Sequence, residues 1–166
     1  RDFEFAKKYK ISIKEVIRTL EGTPRKDAEF RRTISAVVQR KNDGKFMIVK
    51  WKKFGWIAPV IGGIEAGESA ESTAEREVLE EIGYKARAIK KLGGEIESYF
   101  FADNKGVWRH RLDQPVLLEL LDEKPSKVES EEEDRHEVLW LTGDELLKNI
   151  THKYNAIGFL RHLGKD

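Results

Sequence analysis

Apolar and polar positions along the chain change period several times, and each change marks an element. Thr33 to Arg40 is rich in β-formers, and Lys45 to Trp51 alternates as its return strand. Phe46, Ile48 and Lys50 fall on one face of that strand, and Met47, Val49 and Trp51 on the other. Between the two runs, Asn42-Asp43-Gly44 has the chemistry of a hairpin turn. A loop carrying Phe54, Trp56 and Pro59 follows, and Ser69 to Ile82 then has the clearest helical spacing in the chain. Ser69 is placed to cap that helix and Gly83 to end it in a left-handed conformation. Ala86 to Phe101 and Val107 to Leu121 read as two long strands joined around Asp103-Asn104-Lys105-Gly106. Val138 to Leu141 reads as a short strand, Thr142 as the cap of a helix through Leu147, and Thr151 as the cap of another to Leu163. No internal repeat is present. Mixed strands and helices predict an α/β or α+β sandwich.

The first thirty residues follow a different pattern. Arg1 to Lys10, with Phe3, Phe5, Ala6 and Tyr9, predicts a short helix; Ile11 to Leu20 fits a strand or a further turn of helix; Glu21 to Asp27 has no period and reads as a linker. Organised structure is expected from about Arg32, which divides the chain into an extension, residues 1–31, and a domain, residues 32–166.

Composition narrows the partners little. The 31 basic and 30 acidic side chains give a net charge of +1, so any electrostatic argument must rest on local clusters. The absence of cysteine excludes a disulfide framework and thiolate metal sites, and fits a cytoplasmic protein. No apolar run reaches the ~20 residues of a membrane-spanning helix, so no membrane partner is expected. The chain opens on Arg1 rather than Met, from which we expect a piece of a longer polypeptide.

One stretch concentrates chemistry. Glu77, Glu80 and Glu81 are spaced i, i+3, i+4, which gathers three carboxylates on one side of the predicted helix, with Val78, Leu79 and Ile82 on the side that packs. Like charges at this spacing repel by about 0.2–0.5 kcal/mol per pair. The cluster makes physical sense if a hard cation, Mg²⁺ or Mn²⁺, sits among the oxygens. Glu68 enters just before the helix. Arg76 can pair with Glu80 along the helix or contact Glu68. Gly62-Gly63 allows a close approach of backbone to ligand, or offers a carbonyl to a metal.

Taken together, Gly62, Gly67, Glu68, Arg76-Glu77, Glu80-Glu81 and Gly83 resemble the signature box of the Nudix family, with every charged and glycine position filled. Tyr84 departs from it where the family usually has an aliphatic residue. Pro59 departs too: Val60-Ile61 separates it from the double glycine, which alters the expected shape of the site entrance. The resemblance implies an α/β/α sandwich with a mixed β-sheet over roughly Arg32 to Gly164. It implies metal ligands at Glu77, Glu80, Glu81 and the Gly62 carbonyl, with Glu68 and Arg76 positioning the helix carboxylates. It also implies hydrolysis of a nucleoside-diphosphate-linked compound, with Mg²⁺ or Mn²⁺ as cofactor.

A further carboxylate from the acidic run Glu129 to Asp134 would complete such a site; Glu133 or Asp134 is the candidate, and a solvated acidic loop is the alternative. Trp51, Phe54, Trp56, Tyr99 and Trp108 are candidates to stack on a base. Lys50, Lys52, Lys53, Arg109 and Arg111 are candidates to hold phosphate. The pattern does not name the substrate.

Arg1-Asp2-Phe3-Glu4-Phe5-Ala6 and the following residues to Ile17 resemble the closing motif of the editing domain of leucyl-tRNA synthetases. There the residue matching Asp2 grips the amino group of a mischarged amino acid, which Asp2 alone could not do. This implies a parent synthetase carrying the box-containing domain, with tRNA as a partner of the parent. Two functions of different class are then open: an active hydrolase, or a non-catalytic module binding nucleotide, tRNA or another domain.

Overall fold

The computed structural model describes residues 19–122, 124–126 and 135–165. Strand β2 (Glu29–Gln39) is its axis. Its parallel partner is β8 (Val107–Leu120), in continuous register from Glu29↔Arg109 to Gln39↔Glu119. The other edge of β2 is shared. β5 (Val60–Gly63) pairs with Thr33 to Ala36, and β3 (Phe46–Trp51) meets its end at Gln39↔Phe46. The far edge of β8 is likewise split between β7 (Ile96–Ala102) and β6 (Ala86–Lys91). β1 (Thr19–Glu21) adds to β7 in parallel, and β4 (Ile57–Ala58) and β9 (His136–Leu141) pair with β3. The sheet is therefore mixed, with nine described strands.

Side-chain alternation on β2 divides the core in two. Ile34, Ala36 and Val38 face helix α1 (Ala70–Ile82) and pack with its Ala70, Ala74, Val78 and Ile82. Val37, one residue out of phase, faces the opposite layer. That layer holds α2 (Gly143–Asn149), a 3-10 turn (Lys153–Ala156) and α3 (Ile157–Leu163), packed through Leu146, Ile150, Ala156 and Phe159. This is the α/β/α sandwich expected. Among the described residues, no helix is long and apolar enough to cross a membrane.

Local chemistry explains most boundaries. Ser69 caps α1 in a capping box with Ser72, and Gly83 closes it at φ +74, a conformation that a Cβ disfavours. Thr142 caps α2 through Glu145 as expected. Thr151 does not cap the last helix: its hydroxyl accepts from the Ile57 amide at 2.8 Å, tying the 3-10 turn to β4. Ala86 to Phe101 is two strands, not one, because Leu92 to Glu95 turns the chain through Gly93 at φ +71. The aromatic loop from Phe54 contains β4. Part of the expected extension joins the sheet, as β1 and the first residues of β2.

Leu79 departs from its expected place. It is 41% exposed, while Val78 is fully buried. The buried stripe runs Ala70, Ala74, Val78, Ile82 at a spacing of four, so Leu79 is turned about 100° from its centre. Tyr84 is buried against the same core and meets the Trp140 ring edge-on at 6.0 Å.

Candidate active site

The side of α1 turned from the core carries its charges, and Arg76 organises them. Its Nε and Nη2 donate to the two oxygens of Glu68, at 2.8 and 3.0 Å. Its Nη1 donates to Glu77 and to Glu80, both at 2.9 Å. Nη2 also reaches the Gly63 carbonyl at 3.2 Å, which binds the helix to β5. Both pairings expected of Arg76, along the helix and back to the loop, are present together. Glu68 is further held by the Glu65 amide and the Thr73 hydroxyl. These donors, Arg76 above all, hold its carboxyl down at about 2.

Glu77 differs. It is half-buried, and desolvation pushes its carboxyl up despite the adjacent guanidinium of Arg76. It lies across Gly62, where a Cβ would collide with its side-chain carbons. Gly62 shares the α1 face of the sheet through its register with Ile34. Gly63 faces the other way, against the Arg31 guanidinium. Glycine at both positions thus lets charged side chains close over both faces of one strand end. Glu81 is half-buried, one residue beyond the exposed Glu80.

Among the described residues, no three acidic, histidine or cysteine side chains converge as a metal site. Arg76 holds the carboxylates as their counter-cation. The donor set nonetheless suits a hard cation: carboxylate oxygens, one partly desolvated, beside backbone carbonyls. Glu133 and Asp134 lie outside the described residues.

Two residues back along β5 the surroundings change. Ala58, Pro59 and Ile61 line a cleft of about 300 Å³. Its wall is an aromatic ladder. Trp56 meets His152 at 5.9 Å, His152 stacks on Tyr154 at 5.4 Å, and Tyr154 stacks on Phe100 at 5.7 Å, while Phe54, which is not part of the lining, stacks on Trp56 at 4.6 Å. Arg111 completes the lining, its guanidinium 4.9 Å from the Tyr154 ring centre and 2.9 Å from Asn155 Oδ1. Burial and the nearby Arg111 charge push the His152 imidazole down, favouring its neutral form.

Of the four expected substrate contacts, Trp56 and Arg111 line this cleft, as does Trp51. Tyr99 and Arg109 are placed elsewhere. Tyr99 stacks on His110 at 4.3 Å on the other face of β7 and β8, where Trp108 also lies under Arg25. Arg109 is engaged by Glu29 at 2.5 Å. Strand alternation separates Tyr99 from Arg111: Arg111 shares a face with its register partner Ser98, and Tyr99 shares the opposite one with His110. Arg109 is on the Arg111 face, and its pairing with Glu29 is what sets it apart. Arg31, Phe100, His152, Tyr154 and Asn155 are among the residues that sequence reasoning missed. His152 immediately precedes a 3-10 turn, and Tyr154 and Asn155 sit on it; its tight period resembles neither a strand nor an amphipathic α-helix.

A scan of family models matches the NUDIX domain over residues 29–163, and the chain belongs to that family. A search of the curated proteins finds no match. Among solved structures, a NUDIX hydrolase from Nitrosomonas europaea is similar at a TM-score of 0.62 and 20% identity, over 82% of this chain and 91% of that one. An Ap4A hydrolase from C. elegans is similar at 0.59 and 15%, over 82% and 99%. A UDP-X diphosphatase is similar at 0.56 and 15%, over 100% and 73%. At these identities the likeness is one of fold. The family match begins after Arg1–Ile17, which also lies outside the described residues.

Proposed function

We propose that this chain is a divalent-metal-dependent hydrolase of a nucleoside-diphosphate-linked compound. The observation that carries this reading is the gathering of Glu68, Glu77 and Glu80 by Arg76 at the strand end where Gly62 admits Glu77. Glu77, Glu80 and Glu81, with the Gly62 carbonyl, would hold Mg²⁺ or Mn²⁺. Such an ion neutralises the dense charge of a diphosphate. Arg76 and Glu68 act as positioning residues: they fix the helix carboxylates without touching substrate. The proton leaving the attacking water goes to a helix carboxylate or to Glu133. The aromatic cleft, reached through β5, holds the nucleoside. That two of the similar solved structures are an Ap4A hydrolase and a UDP-X diphosphatase supports the substrate class.

A screen of nucleoside diphosphates, triphosphates and dinucleotides with and without Mg²⁺ tests this. Metal-dependent turnover is expected; no turnover on any of them would leave a binding module. The resemblance of Arg1 to Ile17 supports a leucyl-tRNA synthetase as the parent chain, with cytoplasmic location and tRNA as the parent's partner. The reading frame upstream of Arg1 tests that origin: a start codon within a few residues and no synthetase sequence would end it.

A further inference from the structure

The base-holding cleft contains a charged group with one bond unmade. Arg111 is 6% exposed, and its Nε is buried with no hydrogen-bond partner among the described residues. The same is true of the hydroxyl of Ser98, its register partner on β7. A buried donor left unpaired is costly, and native structures retain one where a ligand uses it. The guanidinium is otherwise engaged: Phe100 and Tyr154 present ring faces to it, and Asn155 Oδ1 accepts from Nη2. An arginine accepts nothing, so the Asn155 amide must turn its oxygen to Arg111. Its remaining polar group is then an NH₂, a second donor.

We propose that this cleft selects a nucleobase with a ring carbonyl beside a ring N–H, such as guanine or uracil, over adenine, with Arg111 and Asn155 as the donors that read the carbonyl. The inference rests on the reading of the chain as a nucleoside-diphosphate hydrolase and names the nucleoside. Three observations favour a base over a phosphate as the occupant. The walls are chiefly aromatic and aliphatic, which suits a flat ring. The volume, about 300 Å³, lies at the lower end for small-molecule sites, enough for one ring system. Asp113, two residues along β8 on the same face and held by Thr33 and Ser35, already supplies negative charge near Arg111, so a neutral acceptor suffices. Asp103, the carboxylate that lines the cleft, supplies an acceptor for the ring N–H. Adenine would bring an amino donor towards donors and leave Arg111 Nε unpaired. Good base pairings of this kind discriminate by roughly 5- to 150-fold.

The test needs neither metal nor turnover. The metal-free chain is titrated with GMP, UMP and AMP, following tryptophan emission, to which Trp51 and Trp56 of the cleft contribute. GMP and UMP should bind at least about tenfold more tightly than AMP. Arg111→Met should bring the ratio to about one, and Asn155→Asp, which keeps an acceptor for Arg111 but removes the NH₂, should shrink it. Near-ultraviolet circular dichroism checks the fold of each variant; if Arg111→Met does not fold, Asn155→Asp decides. Equal dissociation constants in the wild type, no quenching by any of the three, or undiminished discrimination in the deciding folded variant overturns the proposal. Correct selectivity without hydrolysis of any GDP-linked compound would sink only the hydrolase reading; hydrolysis with no base preference would sink only this one.

Discussion

Arg76 and Arg111 are both drawn largely out of water, and they are satisfied in opposite ways. Arg76 spends its donors on three carboxylates and a backbone carbonyl. Arg111 has one amide oxygen and two aromatic faces, and its Nε has no hydrogen-bond partner among the described residues. A guanidinium with all its partners inside the chain is a structural organiser, and its value lies in the groups it holds still. One with an open donor beside a cleft is suited to a ligand. The two sites flank one short strand, β5, and have different sensitivities: the Arg76 side should govern turnover and acid stability, and the Arg111 side should govern which substrate binds.

Both regions hang on the same sheet, so the largest effect should abolish the contrast altogether. Val78 is fully buried between α1 and the sheet. Val78→Asp places an unpaired charge there and should cost about 3–5 kcal/mol, lowering urea midpoint, turnover and base selectivity together. A variant that melts with the wild type would show that this face of α1 is not packed.

Next in size is a change that should separate the regions. Glu80 is exposed, so Glu80→Gln should leave the melting temperature nearly unchanged. It removes a charged oxygen from the proposed metal site and should lower kcat by about 10²- to 10³-fold, some 3–4 kcal/mol at the transition state. Binding of GMP in the absence of metal should be unaffected. Loss of nucleotide binding in this variant would mean that cleft and carboxylates are one site, not two.

The acid limb of stability should report on Arg76 alone. The Arg76 guanidinium holds the Glu68 carboxyl at about 2, below its ordinary 4.5. A depressed carboxylate stabilises the fold above its unfolded value, and that contribution is lost as pH falls through the folded one. Glu77 has the opposite sign: burial raises it, so its share is present at low pH and fades as pH rises. Melting temperatures of the wild type and Arg76→Met should therefore differ most above pH 4.5 and converge towards pH 2. A gap that stays constant through this window would remove Arg76 from the control of Glu68.

How much of this could be read from the chain follows from the range of each interaction. The carboxylate side was legible because Glu68, Arg76, Glu77 and Glu80 lie within thirteen positions, and helical geometry fixes which of them meet. The capping of α1 and α2 was legible for the same reason. The cleft was not, since Trp56, Phe100, Arg111 and Tyr154 come from four distant segments. Only the pairing of β7 with β8 decides that Arg111 enters it while Tyr99 does not, and only the approach of Glu29 on β2 draws Arg109 aside. The break at Gly93 was hidden because alternation persists on both sides of the turn.

The smallest expected effect tests the one error within the legible helix. Leu79 was expected on the packed face because an aliphatic residue beside Val78 ordinarily shares its burial. The helical turn instead leaves it 41% exposed. Leu79→Gln keeps helix propensity nearly constant, so any change in stability reports on lost apolar contact. A surface substitution of this kind shifts stability by less than about 0.5 kcal/mol. For a chain of this size that is at most about 2 °C in melting temperature, whereas Val78→Asp should unfold the chain well below the wild-type midpoint. The contrast between adjacent positions is itself the measurement, since both substitutions insert polar groups into the same turn of α1. If Leu79→Gln lowers the midpoint by several degrees, Leu79 makes apolar contacts in solution that its exposure does not show. The charged face of α1 would then be narrower than its exposure indicates, and Glu80 would sit beside a packed boundary rather than in open water.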